Sequence, residues 1–221
     1  MTKMLILTLI SFNIVACNQD DGIKTKIPRS EIKTSTTFDS GTTAHVENAM
    51  IQDVQLFETD VKFSNFERHE EDKVYKALEI IKMVVRSEEF RLRVINFSFR
   101  GKKQFYMNNG LSNNQIYQTI LQARELLRPE IDHEMDLELE LFYTIRSTVG
   151  YTTTKEMKIY MNRRFFNIYT PSQVAGNIFH EWTHKLGFTH SSRYTSDRDS
   201  TVPYALGYLV ENLGKRYESL R

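Results

Sequence analysis

Apolar positions along this chain fall into three rhythms: a dense run, a helical recurrence and a strict alternation. The dense run comes first, from Met4 to Val15. From Asn18 to about Asn48 the chain is polar and rich in Thr, Ser, Asp and Lys. Without a sustained hydrophobic period it reads as a tether. Periodic sequence begins near Ala49. Val74, Leu78, Ile81 and Val85 recur at helical spacing and predict a helix from about Glu70 to Ser87. The segment VINFSFRGKKQFYM alternates weakly around Gly101 and reads as a hairpin. A second helix opens on Ser112 and Gln115, the two ends of a capping box, and is expected to close before Pro129. Its apolar face is Ile116, Ile120, Leu121 and Leu127.

Alternation then takes over. In MDLELELFYT, Leu137, Leu139 and Leu141 fall on one side and Asp136, Glu138 and Glu140 on the other, the pattern of a strand with one wet face. After a Thr-rich turn, EMKIYMN puts Met157, Ile159 and Met161 on one face. Helical punctuation returns at TPSQVAGNIFHEWTHKLGF. Thr170 is an N-cap, Pro171 occupies the first helical position, and Gln173 completes a capping box. The predicted class is α+β, with a small mixed sheet packed on the Ser112 helix and on the helix from Pro171, and a C-terminal helix closing the lower side.

Composition narrows this picture in two places. The 221 residues carry a formal net charge of +1, which offers no electrostatic reason to expect a nucleic-acid partner. Cys17 is the one cysteine, so no intramolecular disulfide can form. The apolar run before it is too short for a permanent membrane span and reads as a secretory signal. Ile14-Val15-Ala16-Cys17 resembles the bacterial lipobox, in which the cysteine is lipidated and becomes the new N-terminus. That resemblance implies an exported lipoprotein, held to a membrane through Cys17 alone. The expected organisation is a signal over 1–17, a tether over 18–48 and a single domain over 49–221.

Candidate chemistry concentrates in HEWTHKLGFTH, His180 to His190, which holds three of the six histidines. His180 and His184 are four apart and share a helix face, so their imidazoles can hold one metal ion. Glu181 lies one step round the helix, where it reaches a water on the metal rather than the metal itself. Gly187 can end the helix in a left-handed conformation and turn the chain, letting His190 supply a third nitrogen. Three neutral imidazoles leave a coordination position open, as in a catalytic zinc site. Glu211, on the C-terminal helix, and Asp197 and Asp199 are rival third ligands. His45, His69 and His133 lie in polar surroundings and read as surface residues. Phe179 and Trp182 read as core.

The segment resembles the HExxHxxGxxH signature of the metzincin zinc metallopeptidases at each defined position. The resemblance implies a zincin-like domain with Zn²⁺ on His180, His184 and His190, and Glu181 as general base. It also implies an antiparallel edge strand that holds extended substrate, here MKIYMN. No methionine follows His190 to form the family's methionine turn. STVPY, Ser200 to Tyr204, resembles that turn with Val202 in the methionine position, which would bring Tyr204 near the zinc. The alternative is a proline-started helix with Tyr204 in its first turn. The helix from Glu70 has no counterpart in a minimal metzincin. The function expected is a zinc endopeptidase acting on proteins or peptides. A cell-wall amide hydrolase and a catalytically dead metal-binding surface module are the competing readings.

Overall fold

The computed structural model describes residues 56–218. Cys17, the signal over 1–17, the tether over 18–48 and the proposed domain start at Ala49 lie outside the described residues. Among the described residues no helix is long and apolar enough to cross a membrane.

Among the described residues, a four-stranded mixed sheet and six α-helices make up the fold. Strand β1 is Glu58–Ser64, β2 is Glu134–Phe142, β3 is Gly150–Thr152 and β4 is Lys158–Asn162. Their order across the sheet is β1-β2-β4-β3, with β1 parallel to β2, β2 parallel to β4, and β3 antiparallel to β4. The alternation in β2 does what it predicts. Leu137, Leu139 and Leu141 are buried in the core, joined from β4 by Ile159 and Met161. The opposite face is less wet than expected, because Arg128 pairs with both Asp136 and Glu138 and covers them.

MKIYMN is not the edge strand. Paired in parallel with β2 and antiparallel with β3, β4 lies inside the sheet, and the edge on that side is the three-residue β3. The tight return over 153–157 puts β3 outermost, and Thr152 Oγ1 donates to the Lys158 carbonyl at 2.8 Å across it.

Helix α1 spans Arg68–Val85 and ends two residues short of Ser87. Ser87 is instead the N-cap of a new helix, α2, Glu88–Ile95, its side chain accepting from Phe90 N. Glu88 and Glu89 in that first turn suit the positive end of the helix dipole. The expected hairpin shrinks to one pair. Phe99 and Lys102 exchange both backbone hydrogen bonds across Arg100 and Gly101, at φ 49° and 75°, a two-residue turn with no strands attached. Helix α3, Asn113–Gln122, begins with the predicted Ser112–Gln115 capping box. It stops at Ala123, which sits at φ 48°, well before Pro129, and leaves Leu127 exposed. This helix packs chiefly on α2 rather than on the sheet; Tyr117 meets Phe90 with ring centroids 6.4 Å apart.

A short helix α4, Arg163–Ile168, follows β4, and α5, Pro171–Lys185, carries the histidine motif. A 3-10 turn at Arg198–Ser200 leads into α6, Val202–Glu218. Helix α5 lies between α1, α6 and the β3–β4 end of the sheet, buried along nearly its whole length. Its closest approach is to α6. A Cβ on Gly176 would fall 2.8 Å from the Gly207 carbonyl, and one on Gly207 would fall 2.9 Å from the Gly176 carbonyl. Two facing glycines therefore let the helix backbones touch.

Candidate metal centre

Helix α5 starts as its sequence dictates. The Thr170 hydroxyl accepts from Gln173 N, and the Gln173 side chain accepts from Thr170 N at 3.0 Å. With the start fixed, fifteen residues of helix bring His180 and His184 to the same face near its end. There the chain makes a Schellman turn: Phe188 N donates to the Thr183 carbonyl at 3.1 Å and Gly187 N to the His184 carbonyl at 3.0 Å. Gly187 sits at φ 92°, which the absence of a Cβ permits. Asn109 Nδ2 donates to the Gly187 carbonyl at 3.0 Å and braces the turn from the Phe99–Leu111 segment. The chain then doubles back, and His190 meets the other two.

His180, His184 and His190 are all buried, and each offers a ring nitrogen within 4.8 Å of the others'. The outer ring nitrogens are held by carbonyls. His184 Nδ1 lies 2.7 Å from the Phe188 oxygen and His190 Nδ1 lies 3.0 Å from the Ser191 oxygen. A carbonyl can only accept, so both Nδ1 atoms carry the proton and both Nε2 atoms present lone pairs. The Pro203 carbonyl lies against His180. His180 Nε2 and His190 Nε2 face each other at 3.2 Å. Two ligands in a tetrahedral zinc site, each at about 2.0–2.1 Å from the metal, sit roughly 3.3 Å apart. The geometry suits a shared cation, and the three histidines could hold a metal ion.

Electrostatics point the same way. Burial pushes all three imidazoles below the usual histidine range. His184 falls to about 3, first through desolvation and then through His190. His180 is lowered by desolvation and then by its two histidine neighbours. All three are therefore neutral at neutral pH, the form that binds metal.

Glu181 is buried beside the edge of the sheet. Its Oε1 lies 3.4 Å from the point where a Cβ on Gly150 would stand, so the carboxylate rests against the backbone of β3. Tyr204 stands in the first turn of α6 and also against the cluster. Its ring is 4.4 Å from that of His180 and 4.7 Å from that of His190. The helical reading of VPY and the nearness of Tyr204 to the histidines thus hold together. Val202 is buried at the start of the same helix. The rival ligands stay away. Asp197 pairs with Arg100 at 2.7 Å, and Glu211 pairs with Lys215 at 3.1 Å. No other group of potential ligands gathers among the described residues.

No established protein family matches this chain, and no curated protein matches it.

Three neighbours of the cluster carry no motif. Arg198 is buried with its guanidinium over the rings of Tyr204, at 4.5 Å, and Tyr194, at 4.8 Å. Its positive charge helps lower His180 and His190. Lys185 is also buried, and its Nζ donates to the carbonyls of Thr153, Glu156 and Lys158 at 2.8, 2.6 and 3.1 Å. One ammonium thus ties the β3–β4 return to the end of α5. Behind the helix, Glu125 accepts from Trp182 Nε1 at 2.7 Å, and desolvation raises its carboxyl to about 7. Among the remaining histidines, His69 is exposed, while His133 is half-buried with Nδ1 2.8 Å from the Leu121 carbonyl. Phe179 and Trp182 are fully buried, as core residues are.

Proposed function

We propose that this chain is a zinc-dependent peptidase of zincin-like architecture that hydrolyses peptide bonds with an activated water. One observation carries the reading: three buried, neutral imidazoles converge beside a buried glutamate that leans on an open sheet edge. Three nitrogen donors are one short of the four that zinc usually takes, which favours Zn²⁺ in a catalytic rather than a structural role. When bound there, zinc supplies Lewis-acid polarisation and brings the pKa of a bound water to about 7.

The protein's own groups do the rest. His180, His184 and His190 would hold the ion, with the outer nitrogens of His184 and His190 anchored by backbone carbonyls that fix ring orientation. Glu181 accepts a proton from the attacking water and returns it to the leaving amine. Strand β3, outermost on its side of the sheet among the described residues, offers its outer backbone edge to an extended peptide, which would align a scissile bond next to Glu181. Tyr204, steadied by Arg198 over its ring, stands on the histidine side of the site and is available to the developing oxyanion. Export and anchoring through Cys17 belong to the same proposal and would present the site to proteins or peptides outside the cytoplasm.

Metal analysis of the purified protein beside His190→Ala tests the centre. About one zinc per chain, lost or greatly weakened in the variant, is the expected result. Glu181→Ala should keep its metal and lose turnover on peptide libraries. Full activity in that variant would remove Glu181 from the mechanism.

A further inference from the structure

Gly150 marks a crowded place on the edge strand. A Cβ built there would lie 3.0 Å from the Tyr160 carbonyl oxygen, 3.2 Å from Asn177 Oδ1 and 3.4 Å from Glu181 Oε1. Asn177 precedes Glu181 by four residues, so the two side chains rise from the same face of α5. Asn177 is buried, and its Nδ2 has no hydrogen-bond partner among the described residues. Three acceptor oxygens therefore gather at one point while a buried donor nearby stays unused. Such a donor is costly to leave unmade. A half-turn about the last side-chain bond exchanges the oxygen and nitrogen of an amide without changing the space it fills. In that orientation the NH₂ group turns toward the oxygens at Gly150, the Glu181 carboxylate among them.

We infer that Asn177 is a positioning residue whose amide donates to the Glu181 carboxylate and holds it against the edge strand at Gly150. This rests on the reading of Glu181 as the proton-handling group of a metal centre. Asn177 touches neither metal nor substrate; it acts through Glu181. The carboxylate then has one preferred placement, set between the helix amide and the backbone of β3. A loosely held carboxylate would divide its time among several rotamers, and each wrong one would miss the water or ligand it must meet. Glycine at 150 belongs to the same device, because any Cβ there would crowd the two side chains and the Tyr160 carbonyl together.

A double-mutant cycle tests this without needing the natural substrate. The wild type, Asn177→Ala, Glu181→Ala and the double variant are each loaded with cobalt(II). Acetohydroxamic acid, which chelates the metal and hydrogen-bonds to a nearby carboxylate, is titrated against each and followed by the visible spectrum. Asn177→Ala is expected to weaken hydroxamate binding about tenfold when Glu181 is present and to leave it within about twofold when Glu181 is absent. Asn177→Leu, which fills the same space without a donor, repeats the cycle if the alanine variant does not fold. An equal loss in both backgrounds would make Asn177 a general structural residue and overturn the inference, as would no loss in either. A folded wild type that takes up no cobalt would overturn the metal-centre reading itself. Loaded protein without coupling overturns the role of Asn177 alone.

Discussion

Alanine at Gly207 should loosen both the fold and the proposed metal centre. Its Cβ would stand 2.9 Å from the Gly176 carbonyl oxygen and 3.0 Å from the Cβ of His180. Ordinary contact begins near 3.5 Å, so the helices must part by about half an ångström. The obstacle on one side is backbone, which cannot rotate away, and on the other it is the root of a proposed ligand. Two effects oppose each other. Alanine in a helix interior gains about 1 kcal/mol over glycine, while overpacking costs about 1–3 kcal/mol. With a rigid backbone in the way the upper end applies, and the net loss should be about 2 kcal/mol. For a chain of this size that lowers Tm by roughly 4–8 °C. His180 moves with the strain, and metal affinity should fall at least about tenfold.

Calorimetry of the metal-free protein and competition with a chromophoric chelator would measure the two effects separately. Gly214→Ala is the control. There the nearest atoms are Ile80 Cγ2 at 2.6 Å and Ser172 Cβ at 3.3 Å, so the overpacking is as severe but falls away from the histidines. That variant should keep the affinity of the wild type. A Gly207→Ala protein as stable as the wild type, with undiminished affinity, would refute the reasoning.

Two other perturbations probe the supports around the centre. Glu125 stands at about 7 in the fold against 4.5 ordinarily, so the unfolded chain ionises first as pH rises. Its contribution to stability is complete below about pH 4.5 and is lost as pH climbs through 7, on the order of 3 kcal/mol in all. Glu125→Gln should flatten that stretch of the stability profile in urea titrations, and an unchanged slope would show that Glu125 does not set it. Lys185→Met removes three charge-assisted bonds to the β3–β4 return, a loss of about 3 kcal/mol after the ammonium's own desolvation is counted. Amide exchange over residues 150–158 should quicken markedly, and exchange as slow as in the wild type would mean that the return is anchored elsewhere.

Where sequence reading succeeded, the physics was local. Thr170, Pro171 and Gln173 specify a helix start within four residues, and Ser112 with Gln115 does the same for α3. Leu137, Leu139 and Leu141 declare a face by alternation alone. Gly187 was legible because the turn it makes needs a positive φ. Failures came where distant parts decide. Nothing in Gly150–Thr152 marks it as the edge strand, since three residues hold too little pattern and strand order depends on pairing across the sheet. Ser87 is an N-cap by its type, yet the continuous apolar rhythm before it hid the break. Lys185 looks like an ordinary basic residue near a helix end, and Asn177 like a polar spacer. Only the folded chain shows the carbonyls around one and the glutamate beside the other. Closing α3 before Pro129 was a breaker argument, whereas Ala123 ends the helix in a left-handed conformation that no breaker announces.

The parallel pairing of β1 with β2 bears on the order in which the molecule can assemble. Glu58 meets Glu134, and Ser64 meets Glu140, with α1, α2 and α3 lying in the connection between them. Closing so long a loop costs entropy before any contact rewards it. The β3–β4 pair is separated by a few residues, and β2 reaches β4 across a short span. Refolding should therefore begin around β2, β3 and β4 with α5 and α6, and β1 should dock late. A slow phase reported by a probe on β1, after the histidine cluster has already become able to capture metal, is the kinetic signature of this topology.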